Sequence, residues 1–297
     1  MPLDILVPFW GDPALLRETV ASVLAQHNGD WLLTVVDDAY PDESVAQWFA
    51  GIDDPRVTYL RKPTNEGITE NYRTCVSLAT QDAVVILGCD DLLLPGYVDV
   101  VLGAHAAFPE AAIIQPGVEV IDEHGDVVLP LADRIKQRMV RPRARAPRLL
   151  SGERLATSLL HGDWLYWPSL SFRRDVLAAT QFRDGMPLIQ DLAVVMDIVT
   201  AGGSLLLEPT VCFQYRRHRA SASSASLLDG RRFRGERAYF ELAAAQVRAP
   251  GWRRAERAAR LHVTSRLHAV SLIPCAVRRS PGQVRMLLRH AFGPSRA

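Results

Sequence analysis

Short apolar runs alternate with longer segments of helical period over the first hundred residues, and this alternation limits the fold more than any other feature. Such a pattern is typical of βαβ units, which build a mostly parallel sheet with helices on its faces. Four strands are predicted here, at Asp4 to Phe9, Leu32 to Val36, Val57 to Leu60 and Ala83 to Leu87. The first helix is expected to begin after Asp12, an N-cap residue followed by Pro13. We therefore expect an α/β fold with a Rossmann-like, mostly parallel sheet flanked by helices.

The pattern becomes less regular after Pro95. The predicted helices are Tyr97 to Ala107, Ser151 to Leu160 and Leu188 to Ala201, and the predicted strands are Ala111 to Ile114, Ser169 to Phe172 and Ser204 to Tyr215. An Arg/Pro-rich stretch from Arg138 to Arg148 is predicted to be a mobile loop. Everything after Phe233 has a helical pattern, broken at Pro250-Gly251 and at Ser280-Pro281-Gly282. We expect one domain over residues 1–228, in two halves (1–100 and 101–228), and a C-terminal Arg-rich helical region over residues 229–297.

The charge of the chain is divided along its length. Residues 231–297 hold 15 arginines and three glutamates, a net charge of +12, whereas residues 1–230 carry −11. The basic helices also carry leucine and valine at helical spacing, so they are cationic and amphipathic. Such helices can lie on an anionic membrane surface, or pack on the acidic body or on a second copy of the chain. Nucleic-acid binding is disfavoured, because no recognition module accompanies the arginines.

Three observations predict a cytoplasmic location. The longest nearly uncharged apolar stretch in the last third of the chain, Leu267 to Val277, is shorter than the ~20 residues that cross a bilayer. The first eight residues have neither a basic region nor a cleavage site. The four cysteines are widely spaced, which disfavours a disulfide framework or a structural zinc site. We expect a cytoplasmic protein, with peripheral contact at the inner face of the membrane as an open alternative.

Acidic pairs follow two of the predicted strands. Asp37-Asp38 come directly after the second strand, and Asp90-Asp91 come shortly after the fourth. In an open parallel sheet, ligands bind outside the carboxyl ends of the strands. Carboxylates gathered there suit a hard ion such as Mg²⁺ or Mn²⁺, which binds through one or two carboxylates plus phosphates. The alternative is that each pair only forms a turn.

Two common nucleotide-binding classes are disfavoured by missing motifs. No GxxxxGK[ST] is present, which excludes a P-loop, and the junction after the first strand lacks GxGxxG, which disfavours a dinucleotide oxidoreductase.

An ordered series of motifs resembles glycosyltransferase family 2, whose members are inverting transferases of the GT-A fold. The series covers most of the chain, from Leu3 to Ser224: Ile5-Leu6-Val7-Pro8, Ser22 to Gln26, Val36-Asp37-Asp38, Asp42-Glu43-Ser44, Asn65-Glu66-Gly67 with Asn71, Leu87-Gly88-Cys89-Asp90-Asp91 with Pro95, Gln190-Asp191, and Tyr215-Arg216-Arg217-His218 with Ser221 and Ser223. Each motif is weak alone, and their order is specific to the family. The resemblance implies that residues 1–100 bind a nucleotide sugar and that residues 101–228 bind the acceptor.

Roles for individual residues follow from the resemblance. The implied nucleotide-sugar-binding residues are Pro8, Asp37, Asp38, Asn65, Gly67, Asn71, Asp90 and Arg216. Asp91 and His218 are the implied metal ligands, and the implied cofactor is Mg²⁺ or Mn²⁺. Gly88 stands where many members carry the first Asp of a DxD motif, which leaves fewer carboxylates for the ion.

Asp191 resembles the catalytic base of the family. Inversion needs a base on the face opposite the leaving diphosphate, to take the proton of the attacking hydroxyl. The alternative is that Asp191 only complements the dipole of the helix that begins there. Gln190 replaces the common Glu and is placed on the acceptor side. Trp164 is also placed there as an aromatic platform for a sugar, with burial in the core as the alternative.

The expected function is therefore inverting transfer of a sugar from a nucleotide-diphosphate donor, with UDP as the expected nucleotide, to a hydroxyl of a glycan, a lipid-linked or a natural-product acceptor. A sugar nucleotidyltransferase is disfavoured, because its Gly-rich loop with Arg and Lys is missing after the first strand. A phospho-receiver domain is disfavoured because neither Lys62 nor Lys136, the only lysines, ends a fifth strand. A non-catalytic nucleotide-sugar-binding protein of the GT-A type stays open, given Gly88 and Gln190.

Overall fold

The computed structural model describes residues 2–186, 189–217, 231–277 and 281–293. Its strands are β1 (Leu3–Phe9), β2 (Trp31–Asp37), β3 (Val57–Arg61), β4 (Ala83–Ile86), β5 (Leu92–Leu93), β6 (Ile113–Ile121), β7 (Val127–Val128), β8 (Arg148–Ser151), β9 (Ser171–Arg173) and β10 (Ser204–Arg216). Its helices are α1 (Pro13–Leu24), α2 (Ser44–Ala50), α3 (Ile68–Leu78), α4 (Tyr97–Ala107), α5 (Leu131–Ile135), α6 (Gly152–His161), α7 (Arg174–Ala178), α8 (Gln190–Thr200), α9 (Arg231–Arg248), α10 (Arg253–Leu261), α11 (Val263–Val277) and α12 (Pro281–Phe292). A π-helical turn, Lys136–Val140, continues α5, and a 3₁₀ turn spans Trp167–Ser169.

The strands form one mixed sheet in the order β3-β2-β1-β4-β9-β6-β10-β5, with β7 and β8 paired to β6 and β10. The neighbours β1 to β4 are parallel, as are β6 and β10, and β9 runs antiparallel between β4 and β6. The long strands β6 and β10 therefore run in the same direction as β1 to β4. Their carboxyl ends meet at one edge of the sheet, the place where this class of fold binds ligands.

The start of α1 explains how one helix is fixed locally. The Asp12 carboxylate accepts a hydrogen bond from the amide of Ala14 at 2.8 Å, and Pro13 occupies the first helical position. The cap satisfies one of the amides that a helix N-terminus leaves without a partner, and proline has the backbone angle that the first turn needs. The predicted start of this helix is confirmed.

Both faces of the sheet are covered by helices. On one face, β1 and β2 pack against α1 and α4 through side chains such as Val20 and Tyr97. On the other face, α6 and α8 pack together with α9 and α10, where Leu159, Val195 and Tyr239 belong to one buried cluster. The predicted α/β fold with a basic helical extension is confirmed, and the extension shares a core with the sheet.

Two predicted segments differ from the structure. The strand predicted to end at Ile114 continues to Ile121, because Gly117 lets β6 pass close to β10: a Cβ there would lie 2.7 Å from the carbonyl oxygen of Pro209. The predicted mobile loop from Arg138 to Arg148 is helical up to Val140 and becomes a strand at Arg148. The short helix α2 was not predicted, and Leu188 lies outside the described residues.

A buried polar cluster joins the helices of the extension. The hydroxyl of Ser265 in α11 donates a hydrogen bond to Glu236 in α9 and lies 2.7 Å from Nε2 of His290 in α12. His262 is buried beside them, and Arg266 and Arg237 also face His290. Burial is the main cause that lowers the pKa of His290 from 6.5 to about 4, and it also lowers the pKa of His262.

We expect acid to destabilise the protein through His290. The unfolded chain binds a proton at this residue below pH 6.5, whereas the folded chain binds it only near pH 4, so stability is lost as the pH falls between these values. At pH 5 this residue costs about 2 kcal/mol of the free energy of unfolding. The measurement is the melting temperature of wild type and His290→Gln from pH 7 to pH 5, where the variant should lose less stability.

His124 provides the matched control, because its side chain is exposed. His124→Gln should keep the pH dependence of the wild type. An unchanged pH dependence in His290→Gln would show that this residue does not titrate as its burial requires.

Candidate functional site

The carboxyl edge of the sheet gathers most of the residues that the sequence analysis selected. Asp37 ends β2, Gly88 to Asp91 follow β4, and Arg216 ends β10. Pro8 lies in β1 opposite Val36, and Asn65 is exposed in the loop before α3. His218 lies outside the described residues.

Asp38 fixes the start of α3. Its two carboxylate oxygens accept hydrogen bonds from the amides of Glu66 at 3.0 Å and Gly67 at 2.8 Å, and Nζ of Lys62 lies 3.4 Å away. Gly67 has φ +88°, a left-handed conformation that favours glycine. These contacts hold a buried carboxylate and a helix N-terminus together at the edge of the sheet.

Asp37 is fully buried, and its oxygens are used by the protein. The amide of Tyr40 donates to Oδ1 at 2.7 Å, the hydroxyl of Tyr59 donates to Oδ2, and Arg61 lies 3.9 Å away. Its carboxylate therefore holds the loop that carries Tyr40. The ring of Tyr40 contacts the ring of Trp10 edge to face at 5.4 Å, and Trp10 is half exposed. This aromatic pair was not predicted, although Trp10 directly follows the apolar end of β1.

Asp90 and Asp91 lie beside Arg216. The backbone amide of Arg216 donates to Oδ1 of Asp91 at 2.8 Å, and Nε of Arg216 donates to the carbonyl oxygen of Asp90 at 2.8 Å. Its guanidinium also pairs with Glu18 of α1 at 2.5 Å. Burial is the main cause that raises the pKa of Asp91, and the charge of Asp90 raises it further. Two acidic groups and a buried arginine are thus fixed at one point of the edge.

Gly88 gives the carboxylates room. A Cβ built on this residue would collide with Oδ2 of Asp91 and lie 3.2 Å from Oδ1 of Asp90. The two carboxylates therefore converge over Gly88, in the space that a side chain would take. Among the described residues no group of three or more His, Cys, Asp and Glu side chains could hold a metal ion. Two converging carboxylates suit an ion such as Mg²⁺ that takes its remaining ligands from phosphate and water.

Asp191 lies in the first turn of α8, half-buried, where its Oδ1 accepts a hydrogen bond from the amide of Leu192 at 2.8 Å. The neighbouring Gln190 is buried and links α8 to α3, because its Oε1 accepts a hydrogen bond from the hydroxyl of Thr69 at 3.0 Å. Gly67 lies two residues before Thr69, so this contact joins the Asp38 region to Asp191.

Two buried polar atoms near this link lack partners among the described residues, Nε2 of Gln190 and Oδ1 of Asn71. The other amide atom of Asn71, Nδ2, donates to the carbonyl oxygen of Val36 at 3.0 Å. Because a buried polar atom without a partner costs free energy, such atoms mark places where a ligand can bind.

A second cluster of charged residues, Arg217, Asp133 and Lys136, interacts electrostatically with Asp91 and with Asp191. Arg217 makes a two-point ion pair with the fully buried Asp133, at 2.9 Å and 3.0 Å. Lys136 lies over the ring of Tyr166 at 4.0 Å and donates to the carbonyl oxygen of Leu165. Burial lowers the pKa of Lys136, and the carboxylates of Asp163, Asp133 and Asp191 oppose that shift.

Asp133 and Lys136, which lie on one helical segment, were not predicted as site residues. The rarity of lysine, present only at positions 62 and 136, was the signal that could have identified Lys136.

Trp164 does not line the site. Its side chain is 0% exposed in the core, and its Nε1 donates to the hydroxyl of Ser158 at 3.1 Å. The prediction that Trp164 forms an aromatic platform for a sugar is therefore wrong. Its ring packs with α6 and α8 and has no free face.

Known proteins resemble this chain in sequence. The model of the family "Glycosyl transferase family 2" matches residues 4–157. The uncharacterized protein y4gI of Sinorhizobium fredii is 31% identical over 126 residues, which are 41% of this chain and 14% of that protein. WcaA of Escherichia coli, named as a glycosyl transferase of colanic acid biosynthesis, is 28% identical over 101 residues, 34% of this chain and 36% of that protein. The chain therefore spans less than half the length of these relatives.

A solved structure has a similar fold. The crystal structure of S. aureus TarS 1–349 in complex with UDP-GlcNAc superimposes with a TM-score of 0.72, covering 98% of this chain and 79% of that chain at 10% identity. At this identity the similarity concerns the fold.

Proposed function

Since the chain belongs to glycosyl transferase family 2, we propose that it transfers a sugar from a nucleotide-diphosphate donor to an acceptor hydroxyl with inversion at the anomeric carbon. One observation carries the proposal: Thr69 and Gln190 link the Asp38 loop to Asp191 at the same edge of the sheet that holds Asp90 and Asp91. A donor site and a base on one edge are what a transfer reaction needs.

The nucleotide is proposed to bind beside Asp38. The buried carboxylate of Asp38 binds the nucleobase. The half-exposed Trp10, together with Tyr40, offers the nucleobase an aromatic face, and Oδ1 of Asn71 offers a buried hydrogen-bond acceptor. Gly67 and Asn65 lie on the same loop. UDP is the first nucleotide to test, because the TarS structure contains UDP-GlcNAc.

The diphosphate is proposed to lie near Asp90 and Asp91 with Mg²⁺ or Mn²⁺. Asp91 would be the direct metal ligand, Asp90 and Arg216 would fix the loop around it, and His218 remains a predicted ligand. When bound, the ion would neutralise charge on the departing nucleoside diphosphate. Lys136 brings a further cationic group towards Asp191, and Arg217 lies near Lys136.

Asp191 is proposed to act as the general base. Its carboxylate takes the proton from the acceptor hydroxyl while the hydroxyl oxygen forms a bond to the anomeric carbon. The bond between that carbon and the diphosphate oxygen breaks with its electron pair, and the nucleoside diphosphate leaves from the opposite face. Nε2 of Gln190, buried and without a partner among the described residues, offers a donor for the acceptor or the sugar. The acceptor is a glycan, a lipid-linked or a natural-product hydroxyl.

A thermal-shift panel tests donor binding. Wild type is heated with UDP, GDP, dTDP or CMP, with and without Mn²⁺, and one nucleotide should raise the melting temperature in a metal-dependent way. A ligand at 100 times its Kd adds about 2.7 kcal/mol to the free energy of unfolding. Gly88→Ala should weaken binding of this nucleotide with Mn²⁺ by about tenfold, because the added Cβ displaces the Asp91 carboxylate from its place beside Asp90.

Gly103→Ala is the matched control, since a Cβ at this helical glycine meets no atom within 4 Å. It should bind the nucleotide like wild type. Absence of any shift in folded wild type would refute the donor proposal, and a metal-independent shift of full size would refute the metal site.

A further inference from the structure

The helical segment formed by α5 and the π-helical turn has its apolar side outside. Leu131, Ile135 and Met139 recur every four residues and are 68%, 41% and 79% exposed. The opposite side is polar and faces the protein, where Asp133 binds Arg217 and Lys136 contacts Tyr166. A surface helix ordinarily turns its apolar side to the core. An apolar side that faces solvent indicates a surface that a lipid membrane or another protein covers.

A second exposed apolar row lies on α11, where Val263, Leu267 and Val270 are 40%, 61% and 37% exposed. The two rows approach each other at Gly162. A Cβ on this glycine would lie 2.9 Å from Val140 and 2.7 Å from Thr264, the neighbours of Met139 and Val263. The hydroxyl of Thr264 also donates to the carbonyl oxygen of His161 at 3.0 Å. Together, the six residues of the two rows form the apolar surface.

Most charged residues on the two segments that carry the apolar surface are arginines. Residues 131–148 contain six arginines, Lys136 and one acid, Asp133, which is buried against Arg217. Four of the arginines are exposed: Arg134, Arg138, Arg143 and Arg145. Residues 257–297 contain no acidic residue. Apolar side chains framed by arginines match the acyl chains and phosphate head groups of an anionic bilayer.

We propose that the apolar surface docks the protein on anionic lipid membranes. Leu131, Met139 and Leu267 enter the boundary between head groups and acyl chains, and the surrounding arginines bind the phosphates. Within the described ranges no helix is long and apolar enough to span a bilayer, so this contact is peripheral. Asp133 and Lys136 lie on the inner side of the same segment. Docking therefore places the part of the sheet edge that contains them next to the bilayer. This orientation would bring a lipid-linked acceptor to the site, an inference that rests on the proposed function.

Vesicle co-sedimentation tests the proposal with the full chain. Wild type is mixed at low salt with vesicles of phosphatidylcholine alone or of phosphatidylcholine with phosphatidylglycerol. It should bind the anionic vesicles, and added salt should weaken the binding. Met139→Glu combined with Leu267→Glu should lower the vesicle partition coefficient at least about tenfold, because both side chains leave the bilayer boundary. Val211→Glu, at a valine that is 50% exposed on β10, is the matched control and should bind like wild type.

Three results would overturn the proposal. They are wild type that stays in the supernatant at low salt, a double variant that binds like wild type with an unchanged melting temperature, and equal binding to neutral and anionic vesicles. A wild-type dimer that the double variant converts to a monomer, without vesicle binding by either, would assign the surface to a second copy instead. Because binding is measured rather than turnover, failure here leaves the donor proposal intact.

Discussion

Replacing Asp191 by Asn should reduce the turnover number for glycosyl transfer about a thousandfold, within the range that a positioned general base contributes. Asn has the same shape and cannot take the acceptor proton. Its side-chain oxygen can still accept the hydrogen bond from the amide of Leu192, so the start of α8 should stay intact. The Kd for the nucleotide should therefore stay within about twofold of wild type, since the loss concerns the reacting proton.

The control for Asp191 is an acid that also lies in the first turn of a helix. Asp99 has this place in α4 and binds the side chain of Asn28 at 2.8 Å. If Asp191 only complemented a helix dipole, Asp191→Asn and Asp99→Asn would both change stability slightly and leave turnover unchanged. Product analysis by NMR adds an independent criterion, because a retained anomeric configuration would contradict the single-base mechanism.

Replacing Arg216 by Met should lower the free energy of unfolding by about 3 kcal/mol, because it leaves the buried carboxylate of Asp91 without its neighbouring cation and the carbonyl oxygen of Asp90 without its donor. The side chain is 1% exposed and joins Glu18, the carbonyl oxygen of Asp90 and the end of β10. Its loss leaves the acidic pair without the cation that ties the loop to α1. Calorimetry should show a melting temperature lower by about 5 °C, and nucleotide binding should weaken with it.

Arg174 offers a matched control at the other edge of the sheet. Its side chain is 43% exposed and lies 3.9 Å from Asp82, so Arg174→Met should change stability by less than about 1 kcal/mol. If Arg216→Met and Arg174→Met both melt like wild type, the buried contacts of Arg216 do not stabilise the fold.

The elements that the sequence predicted well are those with a local cause. The Asp12–Pro13 start of α1 depends on two adjacent residues, and the strands depend on apolar runs that any parallel sheet would bury. The start of the next helix on that face, Tyr97, was also predicted, and it is fully buried. Such features need no knowledge of distant contacts.

The features that were missed depend on contacts between distant residues. Asp133 and Arg217 are 84 residues apart, and nothing in their spacing indicates an ion pair. A tryptophan such as Trp164 looks the same in a sequence whether it stacks on a sugar or fills a core. Its packing against α6 in the structure shows that it fills the core. In the sequence, Gly88 indicated only a missing carboxylate, whereas the structure places the carboxylates of Asp90 and Asp91 in the space above it.

The buried clusters divide the basic extension near His262. Helices α9 and α10 share the large cluster with α6 and α8, so they would unfold together with the sheet. Beyond His262, which has φ +28°, the described parts of α11 and α12 are held mainly by a small cluster that includes Phe233, Ala269 and Leu287. These helices thus form a small core of their own, which carries Leu267 and which the hydroxyls of Ser265 and Thr264 connect to α9 and α6.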